Sequence, residues 1–198
     1  MPRSSVSHEH GYTLIEILIV LAVVGVLAAI AVPVTSLTLT SYRFEGDGQA
    51  MSHMVSLAKM RAAASSTRAR MYVDLAERSF SLQTFDRAAN AWVTDTGEQY
   101  LSREVTFSNG GVTGPPPYQD TVNFSDACLD DAGSAINGTA CVLFNSRGLP
   151  IDGSGTIEEE HAVYVTNGIG VYAVTVMPTG QVRFYWAAAN GEGWTERQ

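Results

Sequence analysis

The chain has 198 residues, and its 20 Asp and Glu outnumber its 12 Lys and Arg, which gives a formal net charge of −8. This acidity argues against non-specific nucleic-acid binding, because phosphates are neutralised by clustered Lys and Arg. The length suffices for one domain with a buried core and an appendage. The hydrophobicity is uneven: residues 17–34 contain no polar side chain, whereas the chain after about residue 41 has the composition of a soluble protein.

The apolar segment at residues 17–34 has three interpretations. As a helix it would span about 27 Å, close to the thickness of a hydrocarbon core. The first is a cleaved secretory signal, with residues 29–31 (AIA) as its cleavage site. The apolar region of such a signal runs about 7–15 residues and carries no acid, whereas the segment here is longer and carries Glu16 near its start. A plain membrane anchor is the second, and it leaves Glu16 unexplained, because an acid at the centre of a membrane helix costs about 2.5–3.5 kcal/mol.

The third interpretation gives Glu16 a partner. Cleavage after Gly11 would create an α-amino group on Tyr12, four residues before Glu16 and on the same face of a helix. The carboxylate would also lie in the first helical turn, where the helix dipole favours negative charge. The amine and the carboxylate could then pair within one chain or between neighbouring chains.

Residues 11–16 (GYTLIE), the apolar run and Pro33 together closely resemble the class III leader and N-terminal helix of type IV pilins and type II secretion pseudopilins. Tyr12 stands where that family usually has Phe. The resemblance implies cleavage after Gly11 by the prepilin peptidase, N-methylation of Tyr12, and pairing of Glu16 with the amine of an adjacent subunit. It also implies insertion into the lipid bilayer of the inner membrane, with the leader in the cytoplasm and the head in the periplasm.

Residues 35–67 are predicted to form an amphipathic helix that continues the apolar one. Pro33 removes one backbone hydrogen bond and predicts a kink at the membrane exit, and residues 46–48 (GDG) would weaken the helix. An apolar stripe recurs every three or four residues and is expected to pack against the chain's own head. The stripe consists of Ala50, Met54, Leu57, Met60 or Arg61, and Ala64.

After residue 68 the pattern changes to period two, which is typical of strands joined by polar turns. Residues 109–120 and 125–141 are predicted to be loops, because they are rich in turn residues and lack apolar periodicity. Residues 191–198 are predicted to be a mobile tail with Trp194 as its anchor. The predicted strands are residues 69–76, 79–86, 91–94, 104–108, 141–145, 161–167, 170–177 and 181–186.

These elements predict an α+β protein, in which a long N-terminal transmembrane helix packs on an antiparallel, β-sandwich-like head, as in the pilin-like fold. The expected organisation is a leader at residues 1–11, a transmembrane helix at 12–40, an amphipathic helix continuing into the head at 41–67, and a β-rich periplasmic head at 68–198.

Cys128 and Cys141, the two cysteines of the chain, are a candidate disulfide. In an exported head the bond would contribute about 3 kcal/mol, as expected for a loop of this length. In a reducing compartment they would be two free thiols.

Three segments of the head resemble the GspH/FimT family, in the same order. They are residues 56–75, with the helix end and first strand, residues 141–153, with a strand and an Arg/Gly turn, and residues 174–185, with a closing strand pair around a Thr-Gly turn. The resemblance implies a minor, tip-associated subunit that helps to initiate or cap a pilus or pseudopilus. The implied partners are other pilin or pseudopilin subunits and the inner-membrane assembly platform. Secretion and pilus machinery both fit.

One branch of that family binds DNA during natural transformation, through a Gly-Arg-x-Arg closing turn and a basic tail. Here residues 180–183 read Gly-Gln-Val-Arg, so the first arginine of the motif is missing. The tail is not basic, because it contains two acidic residues, Glu192 and Glu196, and one basic residue, Arg197. Because a phosphate clamp needs more than one cation, nucleic acid is disfavoured as a partner. A DNA-binding minor pilin is the alternative function.

The remaining polar residues predict no enzymatic activity, cofactor or metal. His8 and His10 would leave with the leader, and His53 and His161 have no metal-ligand spacing. The sequence assembles no Ser/His/Asp site. Residues 152–160 (DGSGTIEEE) lack the spacing of an EF-hand calcium loop, so a solvated acidic turn is expected there.

Overall fold

The computed structural model describes residues 12–158 and 161–197, except for the side chains of residues 30–37. The predicted leader, residues 1–11, lies outside them. The chain divides into two compact units, of which the first ends at Ser41 and the second begins at Tyr42. The elements are α1 (Leu14–Ala64), β1 (Ala69–Asp74), β2 (Ser79–Asp86), β3 (Ala91–Thr94), β4 (Gln99–Tyr100), β5 (Thr106–Phe107), β6 (Thr139–Phe144), β7 (His161–Thr166), β8 (Gly170–Val176), β9 (Val182–Ala188) and β10 (Thr195–Arg197).

The strands form two antiparallel sheets. The first has the order β3-β2-β1-β6, with β4 also paired to β2. The second has the order β10-β9-β8-β7-β5. A helix combined with antiparallel sheets is an α+β fold, so the predicted fold class is confirmed.

One buried cluster joins α1 to both sheets. Met51 and Val55 of the helix, Met71 of the first sheet, and Val163 and Val174 of the second are all completely buried in it. In β1 the core side chains alternate with residues of the opposite face, as the two-residue period of a strand requires. The core therefore lies where the helix meets the two sheets.

The helix face that packs in this core differs from the predicted stripe. Met54 is buried as predicted, but Leu57 is 39% and Met60 60% exposed. Arg61 and Ala64 are exposed as well, so the prediction is wrong for these four positions.

The buried face instead contains Met51 and Val55 and continues along the small residues Ala58 and Ala62. The small side chains at its C-terminal end let the helix approach the sheets closely, and the predicted stripe was placed on a neighbouring face that shares only Met54 with the buried residues.

Residues 46–48 were expected to weaken the helix, yet they are helical. Gly48 faces the second sheet, where an added Cβ would come within 2.9 Å of the Phe184 ring. The glycine thus serves close packing of the helix on the sheet.

The predicted strands all overlap observed ones, but two short strands were missed. One is β4, whose two residues are too few for a period-two pattern. The other is β10, which corrects the prediction of a mobile tail, because Thr195, Glu196 and Arg197 pair with Trp186, Tyr185 and Phe184 of β9. Trp194 does anchor this segment, since its Nε1 donates to the Gly114 carbonyl at 2.8 Å.

Candidate functional site

The N-terminal end of α1 presents the residues predicted for processing and assembly. Tyr12 precedes the helix and is 80% exposed. Thr13 caps the helix, because its Oγ1 accepts a hydrogen bond from the backbone N–H of Glu16 at 3.3 Å. Glu16 lies in the first turn with an exposed side chain. Gly11 is outside the described residues, so its cleavage stays a prediction, as does pairing of Glu16 with a Tyr12 amine.

Thr13 was given no role in the sequence analysis, although the signal was present. Thr13 and Glu16 have the Thr-x-x-Glu spacing of a capping box, in which the first residue satisfies a free backbone N–H of the first turn. The motif that carries the residues predicted for assembly therefore also fixes where the helix begins. The cap leaves the Glu16 carboxylate exposed at the helix N-terminus.

The turns that follow Glu16 carry an exposed apolar surface. Between residues 17 and 29, every Ile, Leu and Val side chain is at least 47% exposed. Within the residues whose side chains are described, no helical stretch has the length and apolarity of a membrane span. Pro33 lies inside α1 among residues 30–37, and its predicted kink stays a prediction.

Two of the head segments singled out in the sequence meet on the helix. Gly148 follows β6 and Gly180 lies in the β8–β9 turn, both with positive φ, +74° and +77°. Lys59 of α1 donates a hydrogen bond from Nζ to the Gly180 carbonyl at 2.8 Å. A Cβ on Gly180 would lie only 2.4 Å from the Gly148 carbonyl oxygen. The two turns and Lys59 thus form one close-packed junction.

The only arginine of the closing turn, Arg183, is engaged within the head. Its Nη1 donates a hydrogen bond to Oε1 of Glu196 on the neighbouring strand β10. This bond is the main cause that raises the pKa of Arg183 above its usual value.

The structure joins Cys128 and Cys141 by a disulfide, with Cα atoms 4.9 Å apart. The loop between them lies on the outer face of the first sheet. There Arg70 of β1 donates from Nη1 to the Leu129 carbonyl at 2.6 Å, and Nε donates to Gln83 Oε1 at 2.8 Å. Arg70 is only 4% exposed, and this burial lowers its pKa to about 10.

Neither remaining histidine belongs to a metal cluster in the described part of the chain, which contains no group of three ligands able to hold an ion. His53 is exposed on α1, and His161 is buried at the start of β7. The predicted acidic turn closes on itself, since Asp152 Oδ1 accepts hydrogen bonds from Ser154 Oγ at 2.7 Å and from Thr156 N at 2.8 Å. The Ser154 bond is the main cause that lowers the pKa of Asp152.

Comparison with known proteins adds one family match. Residues 6–32 match the prokaryotic N-terminal methylation motif. No curated protein is significantly similar to the chain.

Two similar solved structures are both of the minor pseudopilin EpsH from the type II secretion system of Vibrio cholerae. One has 11% sequence identity and a TM-score of 0.46, and covers 74% of this chain and 97% of that one. The other has 15% identity and a TM-score of 0.44, and covers 76% of this chain and 96% of that one.

The methylation motif includes both Tyr12 and Glu16, and the helix in which it continues packs on antiparallel sheets further along. The N-terminal part of the chain is thus similar to proteins that carry the prokaryotic methylation motif, and the fold that follows it is α+β.

Proposed function

We propose that this protein is a minor pilin or pseudopilin of the GspH/FimT type, which is processed by the prepilin peptidase and assembled near the tip of a pilus or pseudopilus. The observation that carries the proposal is the methylation motif at residues 6–32, with Tyr12 and Glu16 exposed at the start of a Thr13-capped helix. The role is structural rather than catalytic.

Processing creates the group that Glu16 lacks. Hydrolysis of the peptide bond after Gly11 leaves an α-amine on Tyr12, which is positively charged at neutral pH. Because Tyr12 is exposed and Glu16 lies one turn further, the two opposite charges can pair in one subunit or across two. In a membrane this pairing has its largest effect, because an unpaired carboxylate is costly there.

The apolar surface after Glu16 supports an anchoring role. Its Ile, Leu and Val side chains are exposed, and such a surface marks contact with a membrane or with other proteins. We expect the segment to reside in the inner membrane, with the head in the periplasm, until Glu16 meets the amine of another subunit. The helix then moves from lipid into the filament core.

The first experiment determines the mature N-terminus. The full chain is expressed with a prepilin peptidase, and its intact mass is compared with that of the Gly11→Glu variant, in which the cleavage site is blocked. We expect a product that begins at Tyr12 and carries one added methyl group, and an uncleaved variant. A product beginning near Val32 would identify a conventional secretory signal and overturn the proposal.

The second experiment tests the pairing of Glu16. Glu16→Gln keeps the size of the side chain and removes its charge, while Glu45→Gln makes the same change on α1 beyond the motif. We expect both variants to reach the membrane fraction, but only Glu16→Gln to be depleted from sheared filaments by about tenfold, the effect of about 1.4 kcal/mol. Equal incorporation of both variants would refute the pairing.

A further inference from the structure

A cavity of about 150 Å³ lies beneath the disulfide loop, on the outer face of the first sheet. Loop residues around Leu129 form one side, and the turn around Gly153 forms another. These two sides are in close contact, since a Cβ on Gly153 would lie 2.5 Å from Leu129 Cδ1. The cavity is far in sequence from the N-terminal motif and takes no part in the proposed assembly mechanism.

Two polar side chains in the cavity wall lack hydrogen bonds. His161 is 1% exposed, and neither of its ring nitrogens has a hydrogen-bond partner among the described residues. Glu158 Oε2 likewise accepts no hydrogen bond, but it lies 2.9 Å from His161 Nε2 and makes an ion-pair contact with it, so His161 Nδ1 is the ring nitrogen that has neither kind of contact. Buried polar atoms without partners are costly and uncommon. Both residues line the cavity, so a molecule inside it could supply the missing bonds.

The described lining of the cavity carries an excess of negative charge, since it contains five carboxylates and two guanidiniums. Each guanidinium makes a cation–π contact with an aromatic ring. The Cζ atom of Arg68 lies 4.3 Å from the centre of the Phe85 ring, and the Cζ atom of Arg70 lies 3.9 Å from the centre of the Trp92 ring. Neither forms an ion pair with a described carboxylate. The carboxylates are those of Asp126, Asp130, Asp131, Asp152 and Glu158.

We propose that this cavity binds a primary ammonium group, carried either by a lysine side chain of another protein or by a free amine. An ammonium has three donors and no acceptor. One donor fits Glu158 Oε2, and a second fits His161 Nδ1, the ring nitrogen that is not in contact with Glu158. The surrounding carboxylates favour the positive charge. The volume is suited to a butylammonium, since a cavity of about 150 Å³ holds a molecule the size of benzene.

The binding experiment uses the full chain in detergent micelles with isotope-labelled histidine. n-Butylammonium chloride is titrated while the ring signals of His161 and His53 are followed by NMR, with His161→Gln and His53→Gln variants to assign the two signals. We expect a saturable shift of the His161 signal and none of His53, which is exposed on α1. n-Butanol, which has the same alkyl chain without the charge, should cause no saturable shift.

Two variants locate the ammonium. We expect Glu158→Gln to weaken butylammonium binding at least about tenfold, and Glu77→Gln, which removes an exposed carboxylate outside the cavity, to leave it unchanged. A lysine tripeptide, acetyl-Gly-Lys-Gly-amide, identifies the source of the group. Tighter binding than butylammonium indicates a protein side chain, and equal binding indicates a free amine.

Several results would overturn the inference. These are the absence of a saturable His161 shift, an equal shift with butanol, or a shift with calcium chloride but not with butylammonium. Unchanged affinity of folded Glu158→Gln would do the same. If that variant does not fold, the comparison of butylammonium with butanol on the unaltered chain decides.

Discussion

Replacing Gly180 by Ala should destabilise the head more than the same change at Gly138. Both glycines have φ of +77°, so each alanine adopts the left-handed conformation, at a cost of about 1–2 kcal/mol. Nothing lies within 4 Å of a Cβ on Gly138, whereas a Cβ on Gly180 would be 2.4 Å from the backbone oxygen of Gly148. Relieving such overpacking costs about 1–3 kcal/mol more. We therefore expect losses of about 1–2 kcal/mol for Gly138→Ala and about 2–5 kcal/mol for Gly180→Ala.

The free energy of unfolding of the full chain and both variants is measured by urea titration in the same detergent. Thermal melting provides a second measurement, since each kcal/mol lowers Tm by about 2–4 °C in a domain of this size. Because the φ values match, the difference between the variants isolates the contact of the two turns. Equal losses of unfolding free energy would refute the reasoning, because they would show that the close contact between Gly180 and Gly148 adds nothing to the cost of the substitution.

Two further predictions concern Asp95 and the disulfide. Burial opposes ionisation of Asp95, but hydrogen bonds from Arg61 and Thr84 outweigh it and lower its pKa. The ionised group therefore stabilises the fold above the unfolded pKa of about 3.8, and this contribution is lost as the pH falls through the lower folded value. In urea titrations at roughly pH 5 and pH 2, the Asp95→Asn variant should lose less unfolding free energy between the two pH values than the unaltered chain. An identical loss in both proteins would contradict the lowered pKa of Asp95. Reducing Cys128–Cys141 should lower the unfolding free energy by up to about 3 kcal/mol, and unchanged melting with dithiothreitol would contradict this.

The N-terminal motif could be predicted from the sequence because its information is local. Tyr12, Thr13 and Glu16 act at one helix end, and their relation follows from helical spacing alone. The strands were also found, because a period of two is visible within a few residues. Strand pairing was beyond reach, since β1 pairs with β6 about 70 residues later, and a single sequence does not record which distant segments meet.

The cavity depends on the same long-range pairing. Arg70 comes from β1, Trp92 from β3, Leu129 from the disulfide loop and His161 from β7. His161 carried no signal in the sequence beyond its position at the start of a strand. Its burial beside Glu158 depends on how the loops close over the sheet.

In the structure, the positive charge of Arg183 in the closing turn is paired with the negative charge of Glu196. In the sequence, Arg183 was the one remaining cation of a motif that has two in the DNA-binding branch, and Glu196 only reduced the charge of a tail. Since β10 pairs with β9, Glu196 lies beside Arg183 and accepts its hydrogen bond. A phosphate would have to displace this carboxylate before it could bind Arg183, and the exchange would gain no net ion pair. The tail strand thus gives a structural reason, beyond the missing arginine, why this turn is poorly suited to bind nucleic acid.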